Sequence, residues 1–174
     1  MKLTQLAVVA ATFALTGCSE LVSLHPFVAE KEAIVDSHLT GVWLEEDDVY
    51  VILQENKGYS ITVSDRKGSK PRRLEGLMIK AGDALILDLT PAEDDAFQIP
   101  AHTPMRVWVD GANLRIAFLD SKWLVAHANA ELATQDVNGR TLITSPAEDV
   151  TRFLLTYGAD PRAFGKASVL RRQE

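Results

Sequence analysis

The chain has 174 residues, of which 47% are hydrophobic and 24% charged, and its formal net charge at pH 7 is −6. This length and composition are those of an ordinary globular protein with one packed core, and they exclude a disordered or repetitive chain. The acidic balance argues against nucleic acid as a partner, because affinity for phosphate backbones depends on clustered Lys and Arg.

The first residues have the pattern of an export signal. Lys2 supplies a basic start, and the segment from Leu6 to Leu15 is apolar but too short to remain as a membrane-spanning helix. The sequence Leu15-Thr16-Gly17-Cys18 then resembles the lipobox of bacterial lipoproteins. The resemblance implies cleavage before Cys18, lipid attachment to its thiolate, and a mature chain of 157 residues with a net charge of −7. The alternative is an ordinary signal peptide followed by an incidental cysteine.

Two further features bear on this resemblance. Cys18 is the only cysteine, so an intramolecular disulfide is excluded. The residue after Cys18 is Ser19 rather than an aspartate, which resembles the pattern of lipoproteins exported onward to the outer membrane. To about residue 164 the chain is similar to small proteobacterial lipoproteins. These resemblances imply a lipid-anchored protein of the cell envelope, on the outer membrane and facing the periplasm.

The pattern along the chain predicts four segments. Residues 1–17 are the leader, 18–36 the lipidated cysteine and a tether, 37–160 a β-rich globular domain with C-terminal helices, and 161–174 a loose polar tail. The tether is predicted because residues 19–36 contain Pro26 and no alternating strand pattern. Fully extended, it would reach roughly 60 Å and hold the domain clear of the bilayer.

From Leu39 onward, short runs alternate apolar and polar residues between turn residues, which predicts strands. Three hairpins are predicted, joining 49–53 to 59–63, 74–80 to 85–89, and 105–109 to 114–118. With a further strand at 40–44, about seven strands would form an antiparallel meander, closed as a small barrel or folded as a sandwich. The connections are too short for the crossovers of a parallel sheet.

One or two helices are predicted after the strands. The first begins at Asp120 or Ser121 and carries Trp123 and His127 on one face. The second begins at Ser145-Pro146-Ala147-Glu148, which has the form of a capping box, and ends at Gly158. We expect this second helix to pack across the sheet or to plug one end of a barrel.

The first strand contains Gly41-Val42-Trp43, which resembles the Gly-x-Trp motif that opens lipocalin-like barrels. The resemblance implies that Trp43 packs across the closed end of a barrel with an apolar cavity. Trp43 is therefore a candidate ligand-binding residue. The final-strand arginine and single C-terminal helix of that family are not assigned from the sequence.

The loop between residues 65 and 73 concentrates positive charge in an acidic chain. Its five basic residues are Arg66, Lys67, Lys70, Arg72 and Arg73. Such a cluster is attracted to lipid phosphates, lipopolysaccharide or an acidic partner, and Arg66, Arg72 and Arg73 are candidate ligand-binding residues. The alternative is a hairpin loop whose charges only keep it soluble.

No catalytic or metal-binding motif is complete. The four histidines have no paired spacing, so neither a metal nor another cofactor is predicted, and no serine lies in a Gly-x-Ser-x-Gly turn. The acidic runs at 45–48 and 93–95 have the pattern of solvated turns rather than of a calcium loop. His102 lies between two prolines and is a candidate site residue, which could act with a carboxylate from 93–95.

We therefore expect a non-enzymatic module of the envelope, anchored to the membrane through Cys18, that binds a partner protein or an apolar ligand. Two alternatives remain open at this point. One is an envelope hydrolase with its site around His102, and the other is a structural or assembly accessory of the envelope.

Overall fold

A computed structural model of the chain describes residues 21–65, 67–92, 100–128 and 131–173. The strands are β1 (Leu21–Ser23), β2 (Gly41–Glu45), β3 (Asp48–Glu55), β4 (Gly58–Asp65), β5 (Arg72–Ala81), β6 (Ala84–Pro91), β7 (Thr103–Asp110), β8 (Asn113–Phe118), β9 (Thr134–Val137), β10 (Arg140–Ile143) and β11 (Ser168–Arg172). The helices are α1 (Ser121–Ala128) and α2 (Ala147–Tyr157).

Eight strands form a closed antiparallel barrel in the order β11, β2, β3, β4, β5, β6, β7, β8. The seven strands from β2 to β8 are a meander, and the three predicted hairpins are confirmed. Each of those hairpins closes through a two-residue turn, as shown by the pairing of Glu55 with Gly58 and of Ala81 with Ala84. The prediction of an antiparallel meander with helices is therefore confirmed, and of its two alternatives, barrel and sandwich, the structure shows the barrel, with eight strands.

The eighth barrel strand comes from the end of the chain. β11 pairs with β8 on one side and with β2 on the other, and Leu170 is buried in the barrel. The prediction of a loose polar tail after residue 160 is wrong. One buried leucine among Lys166, Arg171 and Arg172 is too short an apolar signal to reveal a strand, and its partners lie far away in sequence.

A second layer covers part of the barrel's outer wall. It contains α1, α2 and a three-stranded sheet in the order β1, β10, β9, in which β1 runs parallel to β10. A hydrophobic cluster lies between this layer and the barrel, with Ile86 from the wall and Phe153 from α2 among its buried residues. A second cluster lines the barrel interior.

The segment from Leu21 to Asp36 belongs to this second layer. Leu21 and Phe27 are buried, and the Phe27 backbone N–H donates to Oδ2 of Asp88 at 2.9 Å, while its carbonyl accepts from Oγ1 of Thr151 at 3.0 Å. The prediction of a free tether is wrong for residues 21–36. Its buried apolar residues, Leu21, Phe27 and Val28, follow neither a strand period nor a helix period, so the pattern does not predict their burial.

Helix α2 lies where the sequence predicts it and ends at Gly158, but its capping differs. Pro146 occupies the N-cap position, and no side chain caps the helix. The prediction that Ser145 caps α2 is wrong, because its hydroxyl oxygen accepts the backbone N–H of Ala133 at 2.6 Å. Ser145 therefore ties the start of α2 to the small sheet.

Candidate functional site

The barrel encloses a cavity of about 560 Å³. Alternate residues of each strand point inward, so the cavity is lined by aliphatic side chains that include Ile61, Val63, Leu87, Leu89, Val107 and Ile116. These six residues are buried. The volume falls within the range of roughly 300 to 1,000 Å³ that is typical of small-molecule sites.

One end of the barrel is closed around Trp43. The Trp43 ring is fully buried, its indole N–H donates to the carbonyl of Leu39 at 2.9 Å, and Leu39 is the last residue of a short 3-10 helix (Ser37–Leu39) that precedes β2. The guanidinium of Arg172 lies 4.1 Å from the centroid of the Trp43 ring and donates to the carbonyls of Thr40 and His38. These contacts join the first and last barrel strands.

Gly41 allows this closure. Its φ is +140°, a conformation that L side chains rarely adopt, and a Cβ at this position would lie 2.5 Å from a guanidinium nitrogen of Arg172. The backbone conformation is therefore the main reason for glycine in the Gly-x-Trp motif, because the guanidinium is the end of a flexible side chain that can shift.

The opposite end of the barrel is the cavity mouth, which is charged. It is lined by Glu45, Glu46, Asp47, Asp48, Asp65, Lys67 and Arg72. Nζ of Lys67 lies 3.4 Å from Oδ2 of Asp47, so one residue of the basic loop pairs with the acidic turn. Because five carboxylates face two cations, the described part of the mouth is acidic.

Tyr50 connects the mouth to the apolar interior. Its hydroxyl donates to Oε2 of Glu45 at 3.2 Å. Burial raises the pKa of Tyr50 far above its ordinary value, and the nearby charges of Glu45 and Asp48 raise it further. Tyr50 is therefore neutral at physiological pH and offers a hydroxyl at the depth where the lining changes from polar to apolar.

The candidate residues from the sequence do not form one site. Arg72 lines the cavity mouth, whereas Trp43 is buried beneath Arg172 and Arg73 is exposed, and neither of these two is part of the cavity lining. His102 lies outside the barrel. Cys18 and Arg66 lie outside the described residues, as does the acidic run at 93–95.

His102 lines a second cavity, of about 530 Å³, between the outer wall and the segment around Val28. Its Nδ1 lies 3.1 Å from Oδ2 of Asp88, a residue that is 3% exposed. The other carboxylate oxygen of Asp88 and the hydroxyl of Thr90 are buried without a hydrogen-bond partner among the described residues. Within the described chain, Asp88 is the carboxylate that contacts His102.

Sequence analysis does not single out Asp88. The available signal is an aspartate inside the apolar run from Leu85 to Leu89, where a charge is costly unless it is paired. The acidic turn at 45–48 is predicted only as solvated charge, and its place at the mouth depends on barrel closure.

The described ranges contain no group of three or more His, Cys, Asp or Glu residues that could hold a metal ion. In the same ranges, no helix has the length and hydropathy needed to cross a membrane.

Comparisons of the chain with known protein families, with curated proteins and with solved structures found no match.

Proposed function

We propose that the chain is a lipid-anchored protein of the bacterial envelope whose barrel binds a ligand with an apolar body and a polar head. The observation that carries this proposal is the 560 Å³ cavity, which has an aliphatic lining inside and charged residues at its mouth. An elongated apolar ligand enters body first, and its head meets the charged residues of the mouth.

The chemistry of the mouth favours a head that donates hydrogen bonds. Glu45, Asp48 and Asp65 offer carboxylate oxygens, and the acidic balance disfavours a bare carboxylate head. We therefore expect a neutral or cationic head, such as the hydroxyl of a fatty alcohol or the amine of a fatty amine, to bind more tightly than a fatty acid of equal length.

Binding is tested by titrating the purified chain with decanol, decylamine and decanoic acid in a calorimeter. Val63→Trp fills the cavity and should weaken decanol binding at least tenfold, and Leu74→Gln at the mouth gives a second, less bulky test. Leu53→Trp is the matched control, because Leu53 points outward and is 55% exposed. Equal binding by all three variants would place the ligand outside the barrel.

The anchor is supported by the lipobox resemblance of residues 15–18. Its test is the intact mass of the chain purified from a bacterial membrane fraction, with Cys18→Ala as the comparison. We expect a chain that starts at Cys18 with added acyl mass, and the loss of that mass in the variant. An unlipidated chain cleaved elsewhere would contradict the anchor.

A second candidate function, hydrolysis, is favoured by the contact between His102 and Asp88 beside the second cavity. When Nδ1 carries the proton and donates a hydrogen bond to Oδ2 of Asp88, Nε2 is left unprotonated as a base that can activate water. A screen with ester and amide substrates tests this candidate. Activity that survives His102→Gln, or that falls equally in the control His25→Gln, would exclude His102 as the base.

A further inference from the structure

Three arginines and a tryptophan share the outer wall formed by β7, β8 and β11. Arg106, Trp108, Arg115, Val169 and Arg171 all occupy outward positions, because Val107, Leu114, Ile116 and Leu170 of the same strands point into the barrel. We call these five outward residues the arginine wall. None of them lines either cavity described above.

The pairing register of the strands aligns side chains of the arginine wall. Trp108 pairs with Arg115, and Arg115 pairs with Val169, so these three side chains form one row across the strands. The guanidinium carbons of Arg106 and Arg115 lie 4.7 and 5.5 Å from the centroid of the Trp108 ring. Contact with the ring orders both guanidinium groups and reduces the entropy that they would lose on binding. Arg106 also donates to the carbonyl of Ala159 at 3.4 Å, and its Nε is buried.

These arginines lack acidic partners. In the described part of the chain, Arg106, Arg115 and Arg171 have no carboxylate oxygen within the 4.0 Å of an ion pair. The carboxylate in outward register on these strands is Asp110, at the last residue of β7, where it pairs with Asn113. A cluster of unpaired positive charge is unexpected in a chain with a net charge of −6.

Apolar side chains lie beside the charges. Val169 is 50% exposed, and Leu44, which pairs with Arg171 across the next strand, is half-buried on the same wall. Trp108 is partly buried against the cluster beneath the second layer, so the wall offers arginine and aliphatic side chains to a partner. That combination suits the interface of a bilayer, where phosphates lie above the acyl chains.

We propose that the arginine wall docks on the phosphate headgroups of an anionic lipid bilayer. This inference goes beyond the proposed ligand, because it requires neither an occupied cavity nor acylation of Cys18. The proposal rests on charge complementarity between the arginines of the wall and the phosphate headgroups. An acidic protein segment is the competing occupant, which the experiment below distinguishes.

The test is flotation of the full chain carrying Cys18→Ala with vesicles, so that no acyl anchor contributes. Vesicles of phosphatidylcholine are compared with vesicles of equal parts phosphatidylcholine and phosphatidylglycerol. We expect binding to the anionic vesicles that weakens as salt is added. Replacing Arg106, Arg115 and Arg171 together with Gln should lower the partition coefficient roughly a hundredfold, from about 1 kcal/mol for each arginine.

The control removes the same charge elsewhere, by replacing the exposed residues Lys31, Lys80 and Arg140 with Gln. An equal loss in the control would show that net charge alone drives binding, and would overturn the proposal. Unchanged binding after loss of the three arginines would overturn it as well. Arginine-dependent binding of a polyglutamate peptide, without binding to the anionic vesicles, would assign the wall to an acidic protein partner instead.

Discussion

Arg172 is the residue on which the closed end of the barrel depends. Its guanidinium covers the Trp43 ring and donates to two backbone carbonyls that precede β2. We expect Arg172→Met to lower the free energy of unfolding by about 1 to 3 kcal/mol, since the ring contact and both hydrogen bonds are lost. Urea unfolding measures this. The neighbouring exposed Arg171→Met should change stability by less than about 0.5 kcal/mol, and equal effects would contradict the assigned role.

Tyr50 gives a prediction on pH. Its pKa is raised in the folded protein, so the unfolded chain ionises first as pH rises above about 10. The contribution of Tyr50 to the free energy of unfolding is present below that pH and is lost at higher pH. We expect the free energy of unfolding to fall less between about pH 8 and about pH 11 in Tyr50→Phe than in the original chain. Tyr59, whose pKa burial also raises, is kept in both proteins, and identical slopes would contradict the prediction.

At the scale of elements, β11 decides whether the barrel closes. A chain ending after Ala167 lacks Leu170 and leaves β2 and β8 as unpaired edges. We expect a loss of more than about 3 kcal/mol in stability, measured by urea unfolding and far-ultraviolet circular dichroism. Removing only Gln173 and Glu174 is the control. A truncated chain that unfolds like the control would mean that the other seven strands hold the barrel.

Elements with local partners could be predicted from the sequence. The hairpins of β3 with β4, β5 with β6, and β7 with β8 have short turns and alternating residues, so their partners are adjacent along the chain. β11 and the segment around Phe27 could not be predicted, because each contacts residues that are remote in sequence, such as Leu114 and Asp88.

The residues of the candidate site also divide into those with a local sequence signal and those whose partners are remote in sequence. Trp43 could be placed from the Gly-x-Trp motif, since that pattern lies within three residues. The covering Arg172 could not, because it reaches Thr40 from 132 positions away. The contact of His102 with Asp88 spans 14 positions and depends on two strands meeting, so the sequence suggests a histidine site but not its carboxylate.

The whole molecule is a barrel covered on one side. The second layer buries Ile79, Ile86 and Ala117 of the outer wall, whereas Leu53 and Val51 on the opposite side remain partly or fully exposed. We expect amides of β6 to exchange hydrogen more slowly than those of β3, because β6 is covered on both faces. Native-state exchange with mass spectrometry measures this. Equal protection of the two strands would mean that the barrel opens only by global unfolding.

If Cys18 carries the proposed lipid anchor, the burial of Leu21 limits how far the barrel can move from the membrane. Leu21 already belongs to β1, and β1 is bound through Ser23 to His102 at the start of β7. Only three peptide units join Leu21 to Cys18, so the two Cα atoms are at most roughly 11 Å apart. A lipid on Cys18 would therefore hold the barrel close to the bilayer surface. The barrel would pivot at the bilayer surface rather than reach away from it, and a ligand could pass between lipid and cavity without crossing a wide layer of water.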